Sequence, residues 1–226
     1  SGAVADATAE RLGVDRARIA VVHHGISDRF RTRPPDDAIA AECARYSVQP
    51  GHYFLYVGKV ELRKNVTTLV RALALQPGLE QLVVVGPPGF GADQVTDEIE
   101  RRGLTSRVTI TGHVADDDLI SLMAGARALV HPSGFEGFGF TPLEAMALGT
   151  PALASRAGSL PEVLGDGALF LEALDADEWS DAMIRIQDDP TFAGSLVERG
   201  RRRAAAFTWE RAARETAAVH EQAVKG

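Results

Sequence analysis

The residues with the type and spacing to do chemistry fall into a few short segments. The richest is His131-Pro-Ser-Gly-Phe-Glu-Gly-Phe-Gly-Phe-Thr-Pro-Leu-Glu144. Glu136 stands among glycines, which allow a ligand to approach the backbone closely. It is read as a functional acid, because a solvated surface acid needs no such surroundings. Glu144 has two readings. Thr141, Pro142 and Glu144 match an N-cap, a first-turn proline and a capping-box acid, so Glu144 can be structural. It can equally accept hydrogen bonds from ribose hydroxyls while the helix start receives phosphate. A second segment, Gly58-Lys-Val-Glu-Leu-Arg-Lys-Asn65, places Lys59, Arg63 and Lys64 close together before a helix. Cations are unfavourable beside a helix N-terminus unless an anion lies between them. A diphosphate resolves that conflict by binding the side chains and the backbone amides together; a solvated basic loop is the alternative.

Other segments exclude chemistry. Gly86-Pro-Pro-Gly-Phe-Gly91 is glycine-rich, but its spacing is not GxGxxG, and its two prolines remove N–H donors that a phosphate cradle would use. No dinucleotide fingerprint or GxxxxGKS/T motif occurs in the chain. Asp116-Asp117-Asp118 invites a Mg or Mn reading. The simpler expectation is that Asp116 caps a helix and the other acids favour its first turn. His23, His24 and His113 lack partners at metal spacing and are read as structural, so no metal site is expected.

The elements that must hold these residues are short apolar runs alternating with amphipathic stretches. Strands are expected at 19–22, 53–57, 81–85, 108–111, 128–131, 152–154 and 168–171. Most show no apolar–polar alternation, as strands buried on both faces of a parallel sheet do. Helices are expected at 65–75, 93–102, 117–124 and 142–148, then at 177–188, 192–206 and 209–224. Residues 31–37 (RTRPPDD) read as a loop. Strand–helix repetition implies an open α/β sheet with a helical C-terminal tail. Ligands bind such sheets beyond the carboxyl ends of the strands, where the loops at 58–64, 86–91, 112–116 and 132–141 converge.

Composition narrows the class further. Apolar residues make up 45% of the chain and charged residues 24%, which excludes fibrous and disordered classes. The net charge of −7 argues against a nucleic-acid partner. Six arginines and two glutamates nevertheless cluster in residues 198–214. That basic stretch is read as a solvated helix face, as a surface docking to another domain, or as an anionic-membrane contact. A single cysteine, Cys43, rules out an intrachain disulfide and a cysteine-rich zinc site. With no apolar run of membrane length and no signal-peptide pattern, a cytoplasmic location is expected, peripheral membrane association being the variant.

With these motifs in hand, the chain resembles the carboxy-terminal domain of the GT-B fold retaining glycosyltransferases of family four. The resemblance rests on VGKVELRKN, on EGFGFTPLEAMALGTPALAS with its Glu-x7-Glu spacing, and on GSLPEVLGDGALF. It runs from His23-His24-Gly-Ile-Ser-Asp28, similar to the family's NGVD, to Phe207-Thr-Trp-Glu210, similar to its FSW or FTW. It implies a Rossmann-like half of a GT-B fold with helices on both faces. Residues 1–205 would form the nucleotide-sugar domain, 1–35 including a linker, and 206–226 a helix able to cross to an amino-terminal domain that nothing here matches. It implies that Lys64, with Arg63 or Lys59, holds the diphosphate. The Gly137, Phe138, Gly139, Phe140 and Thr141 amides would support phosphate and sugar. Glu144 would bind ribose, Glu136 would contact the transferred sugar, and Val114 would line the base, with Gly86 also in the donor-binding set. Lys59 fits less well, because the family often carries Arg there. The donor would be a UDP- or GDP-type sugar, with no cofactor. The acceptor, whether glycan, lipid or small molecule, would be bound by the other domain, so this piece alone would transfer negligibly. A nucleotide-sugar binding module without chemistry, or another GT-B enzyme such as an epimerase, are the alternatives.

Overall fold

The computed structural model describes residues 1–225. Six strands, β1 (Tyr53–Val57), β2 (Gln81–Val85), β3 (Val108–Gly112), β4 (Ala128–His131), β5 (Ala152–Ser155) and β6 (Ala168–Leu171), form one sheet in the order β3-β2-β1-β4-β5-β6. All the pairings are parallel. Ten α-helices accompany them among the described residues: α1 (Gly2–Leu12), α2 (Asp36–Arg45), α3 (Val66–Leu75), α4 (Asp93–Arg101), α5 (Asp116–Gly125), α6 (Phe140–Leu148), α7 (Leu160–Leu164), α8 (Ala176–Asp188), α9 (Pro190–Ala204) and α10 (Trp209–Lys225).

The strand runs lack alternation because both faces are covered. Phe54 and Tyr56 of β1 enter a core shared with α3, α4 and α8, while Tyr53 and Leu55 of the same strand enter one shared with α2 and α5. A third core joins α6, α7, Ile26 and Phe207. Burying both faces favours a parallel sheet, and the Rossmann-like α/β architecture expected from the sequence is present. The order reverses between β1 and β4, so a crevice opens beyond their carboxyl ends.

Several expectations are overturned. Residues 19–22 form no strand. Ile19–Val22 pairs with neither edge strand, β3 or β6; the segment runs irregularly to Ile26, whose N–H bonds the Phe207 carbonyl at 3.1 Å. The loop foreseen for 31–37 ends at Pro35, because Asp36 and Asp37 already form the first turn of α2. Helices α1, α2 and α7 were not foreseen. Nor does the capping box at Thr141 and Glu144 form: the N-cap of α6 is Gly139, at φ 97°, and the helix begins two residues before Pro142. Asp116 is the first residue of α5 rather than its cap, which is Ala115.

The basic stretch is largely folded back onto its own domain. Arg203 donates to the carbonyls of Glu162 and Val163, Arg199 to that of Asp166, and Arg202 pairs with the Asp166 carboxylate at 2.9 Å. Among the described residues, no helix is long and apolar enough to cross a membrane.

Candidate functional site

Two loops, one after β1 and one after β4, build the crevice wall, and hydrogen bonds stitch them together. Gly134 N–H donates to the Arg63 carbonyl at 2.7 Å, and Asn65 Nδ2 to that of Pro132 at 2.9 Å. Asn65 itself sits at φ 52°, turning the chain from the basic loop into α3. These ties bring Lys64 and Glu136 into contact across 72 residues of sequence: Lys64 Nζ donates to Glu136 Oε1. His131 Nε2 lies 2.8 Å from the same oxygen. The Glu136 backbone is pinned as well, its carbonyl accepting from Ser159 N–H at 3.0 Å and Ser159 Oγ at 2.9 Å.

The acid is an anion here. Burial pushes the Glu136 carboxyl up, but the hydrogen bonds from His131 and Lys64, with the charge of Lys64, outweigh it and hold it at about 2. Lys64 is itself buried, at 9% exposure. The pair lines a cavity of about 460 Å³ that also takes in Gly137, Phe138, Gly139, Phe140 and Thr141. Its remaining lining is Val4, His24, Val57, Gly58 and His131. At one wall stands the N-terminus of α6, which no side chain caps. Pro142 has no N–H, and Leu143 N–H already bonds Gly139 O. The first-turn amides of Phe140 and Thr141 therefore remain to meet an anion. Lysine and helix start together present donors chemically suited to an anion.

The other sequence candidates lie outside this lining. Lys59 and Arg63 both lean on Glu61, at 3.8 and 2.7 Å, and Arg63 Nη1 donates to the Phe135 carbonyl. They form an exposed basic lip rather than part of the wall. Val114 packs in the core with 5% exposure, so only its backbone can face a base. Gly86 has a packing reason: at φ 139°, a Cβ there would lie 2.0 Å from the Gly58 carbonyl oxygen, where the ends of β1 and β2 close on each other. Glu144 sits on α6 beyond the cavity. Burial first, and then the Asp116 charge, push its carboxyl up to about 7. The aspartate cluster faces cations: Arg29 pairs with Asp116 and Asp117, and Arg45 with Asp118. Among the described residues, no three His, Cys, Asp or Glu side chains gather closely enough to hold a metal ion.

Sequence reasoning missed His131, His24 and Glu61. His24 stacks on Phe140, with ring centroids 5.4 Å apart at 25°. No sequence spacing links His24 to Phe140; only the fold brings it to α6. Glu61 could have been found, since it stands within the basic loop it neutralises.

Residues 47–203 match the family described as glycosyl transferases group 1. The chain belongs to this family. It is 32% identical over 203 residues to O-antigen chain mannosyltransferase B of Escherichia coli, a match covering 88% of this chain and 53% of that one. Sucrose-phosphate synthase from Thermosynechococcus elongatus superposes with a TM-score of 0.83 at 29% identity, over 98% of this chain and 57% of that one. HepE from Anabaena, solved with UDP and glucose, superposes at 0.86 with 22% identity, over 94% and 59%, which is a likeness of fold. The chain spans about half the length of the curated group 1 relatives it matches.

Proposed function

We propose that this domain binds the nucleoside-diphosphate-sugar donor of a retaining, metal-independent hexosyl transfer. The observation that carries the reading is the meeting of Lys64 and Glu136 in one cavity beside the uncapped start of α6. In this reading the diphosphate lies against the Phe140 and Thr141 amides and draws Lys64 onto its oxygens. As the bond from the anomeric carbon to the phosphate oxygen breaks, its electron pair moves to the leaving diphosphate. The lysine and the amides are aimed at that developing charge before the reaction starts. An acceptor hydroxyl then attacks from the face the diphosphate leaves and passes its proton to the departing phosphate oxygen, which retains configuration. Glu136 accepts a hydrogen bond from a sugar hydroxyl and serves to position the ring.

The donor base is proposed to be uridine or guanosine. The UDP bound by HepE and the mannosyl transfer in the name of the E. coli relative support these two classes. The acceptor, a glycan, lipid or small molecule, is proposed to be bound by residues outside this chain. Calorimetric titration with UDP, GDP, ADP and dTDP tests the reading. One of them should bind, and Lys64→Ala should weaken it at least tenfold, the effect expected for loss of a charge-assisted contact. Absence of binding by all four would overturn the proposal.

A further inference from the structure

We infer that His131 is a positioning residue for sugar recognition: it keeps the Glu136 carboxylate in place when Lys64 turns to the diphosphate. The inference rests on the donor-binding reading above and adds a role for a residue that reading does not use.

Glu136 Oε1 has two protein donors, Lys64 Nζ and His131 Nε2. They differ in freedom. Lys64 ends a flexible stem with three donors, and a phosphate at the start of α6 competes for them. His131 is the last residue of β4, with 3% exposure, and its ring lies nearly parallel to that of Tyr56, at 15° and 6.4 Å between centroids. Strand and ring together fix where Nε2 points. Once phosphate engages Lys64, the imidazole is the donor left on Glu136. Without it, a carboxylate beside a diphosphate would swing away from like charge.

The hydrogen count supports this assignment. An ionised carboxylate only accepts, so Nε2 must carry the proton. Nδ1 is buried and has no hydrogen-bond partner among the described residues. A second proton there would be a buried donor without an acceptor, which is unfavourable. The geometry therefore points to the Nε2–H tautomer, held by a single bond to Glu136. That bond occupies Oε1 and leaves Oε2 for a sugar hydroxyl.

The test compares two ligands with the same base, UDP against UDP-glucose and GDP against GDP-mannose, by calorimetry on the wild type, His131→Gln and His131→Phe. The quantity read is the extra affinity the sugar confers. Gln can place an amide N–H near the position of Nε2, whereas Phe fills the space with no donor. We expect Phe to lose about tenfold of the sugar's contribution while the nucleoside diphosphate affinity changes less than about threefold, and Gln to restore most of it. Equal losses for both ligands, or no loss in Phe, would overturn the inference. Imidazole 15N spectroscopy of the ligand-free protein reads the tautomer independently. Protonation at Nδ1 rather than Nε2 would overturn the positioning role even if donors bind. If neither nucleotide binds the wild type while the Nε2–H tautomer is seen, the donor reading is what fails, and the role in sugar recognition falls with it.

Discussion

A Cβ on Gly158 would sit 2.4 Å from the carbonyl oxygen of Glu136 and 2.9 Å from its backbone nitrogen. Gly158 is also at φ 56°, so a side chain is disfavoured there on two grounds. The loop before α7 therefore acts as the bed on which the Glu136 backbone lies, with Ser159 bonding the same carbonyl.

Gly158→Ala should push the Glu136 backbone outward. Overpacking of this kind costs about 1–3 kcal/mol, or a Tm lower by roughly 2–12 °C in a domain of this size. The sugar-dependent part of donor affinity should fall further than the nucleotide-dependent part. Thermal unfolding and paired titrations check both. An unchanged Tm with intact sugar recognition would show that the loop yields without moving Glu136.

Replacing Lys64 acts on charge rather than shape. Lys64→Ala should lower transfer by the complete enzyme on the order of 10²–10³ in kcat, as loss of a preorganised electrostatic group does. KM for the donor should rise as well, since the same contact holds the ground state. Steady-state kinetics with a saturating acceptor measure both changes.

Glu144 makes stability depend on pH. Its carboxyl is raised from 4.5 to about 7 by burial and by Asp116, so the folded state favours the protonated form. That contribution is complete below about 4.5 and is lost as pH rises through about 7. Glu144→Gln should flatten the Tm–pH profile between those limits and be relatively more stable at pH 8. Glu136 runs the opposite way: held at about 2, it stabilises above 4.5 and loses that contribution as pH falls toward 2. Melting curves across pH 2–8 for Glu144→Gln and Glu136→Gln separate the two.

Glu162 ties the first helix to the body of the domain. Its carboxylate accepts from Gly2 N–H at 2.8 Å, from Ala3 N–H at 3.4 Å and from His23 Nε2 at 2.6 Å. Glu162→Ala should free the N-terminus of α1, by about 0.5–2 kcal/mol if it behaves as a lost cap. Hydrogen exchange should quicken across Gly2–Leu12 while the amides of β1 and β4 stay protected.

The sheet was largely legible because its strands carry a strong signal: β1 is an unbroken apolar run, and β2 and β4 are apolar but for Gln81 and His131 at their ends, as both-face burial demands. The same signal misled at Ile19–Val22, where the β-branched residues are right but the segment pairs with neither edge strand and runs on to Ile26, which bonds Phe207. Thr141-Pro-Leu-Glu144 misled in another way. It carries the pattern of a capping box, yet Gly139 reaches a positive φ and starts the helix earlier, drawing Phe140 under His24. Lys64 and Glu136 stood out in the sequence as separate candidates, but their contact did not, since it depends on β1 and β4 being neighbours. His131 was hidden for the same reason: a histidine closing a buried strand looks like core until its acidic neighbour is in place.

The two loops after β1 and β2 run side by side, Val60 N–H bonding Pro87 O, Gly89 N–H bonding Val60 O, and Leu62 N–H bonding Phe90 O. Pro87 thus falls where only its carbonyl is needed. As a result the segment carrying Lys64 is clamped along its first half by the loop after β2, while the loop after β4 holds its far end at Arg63 and Asn65. A deletion between Gly86 and Gly91 would loosen that clamp and slacken the lysine's aim, although it removes no atom of the cavity lining.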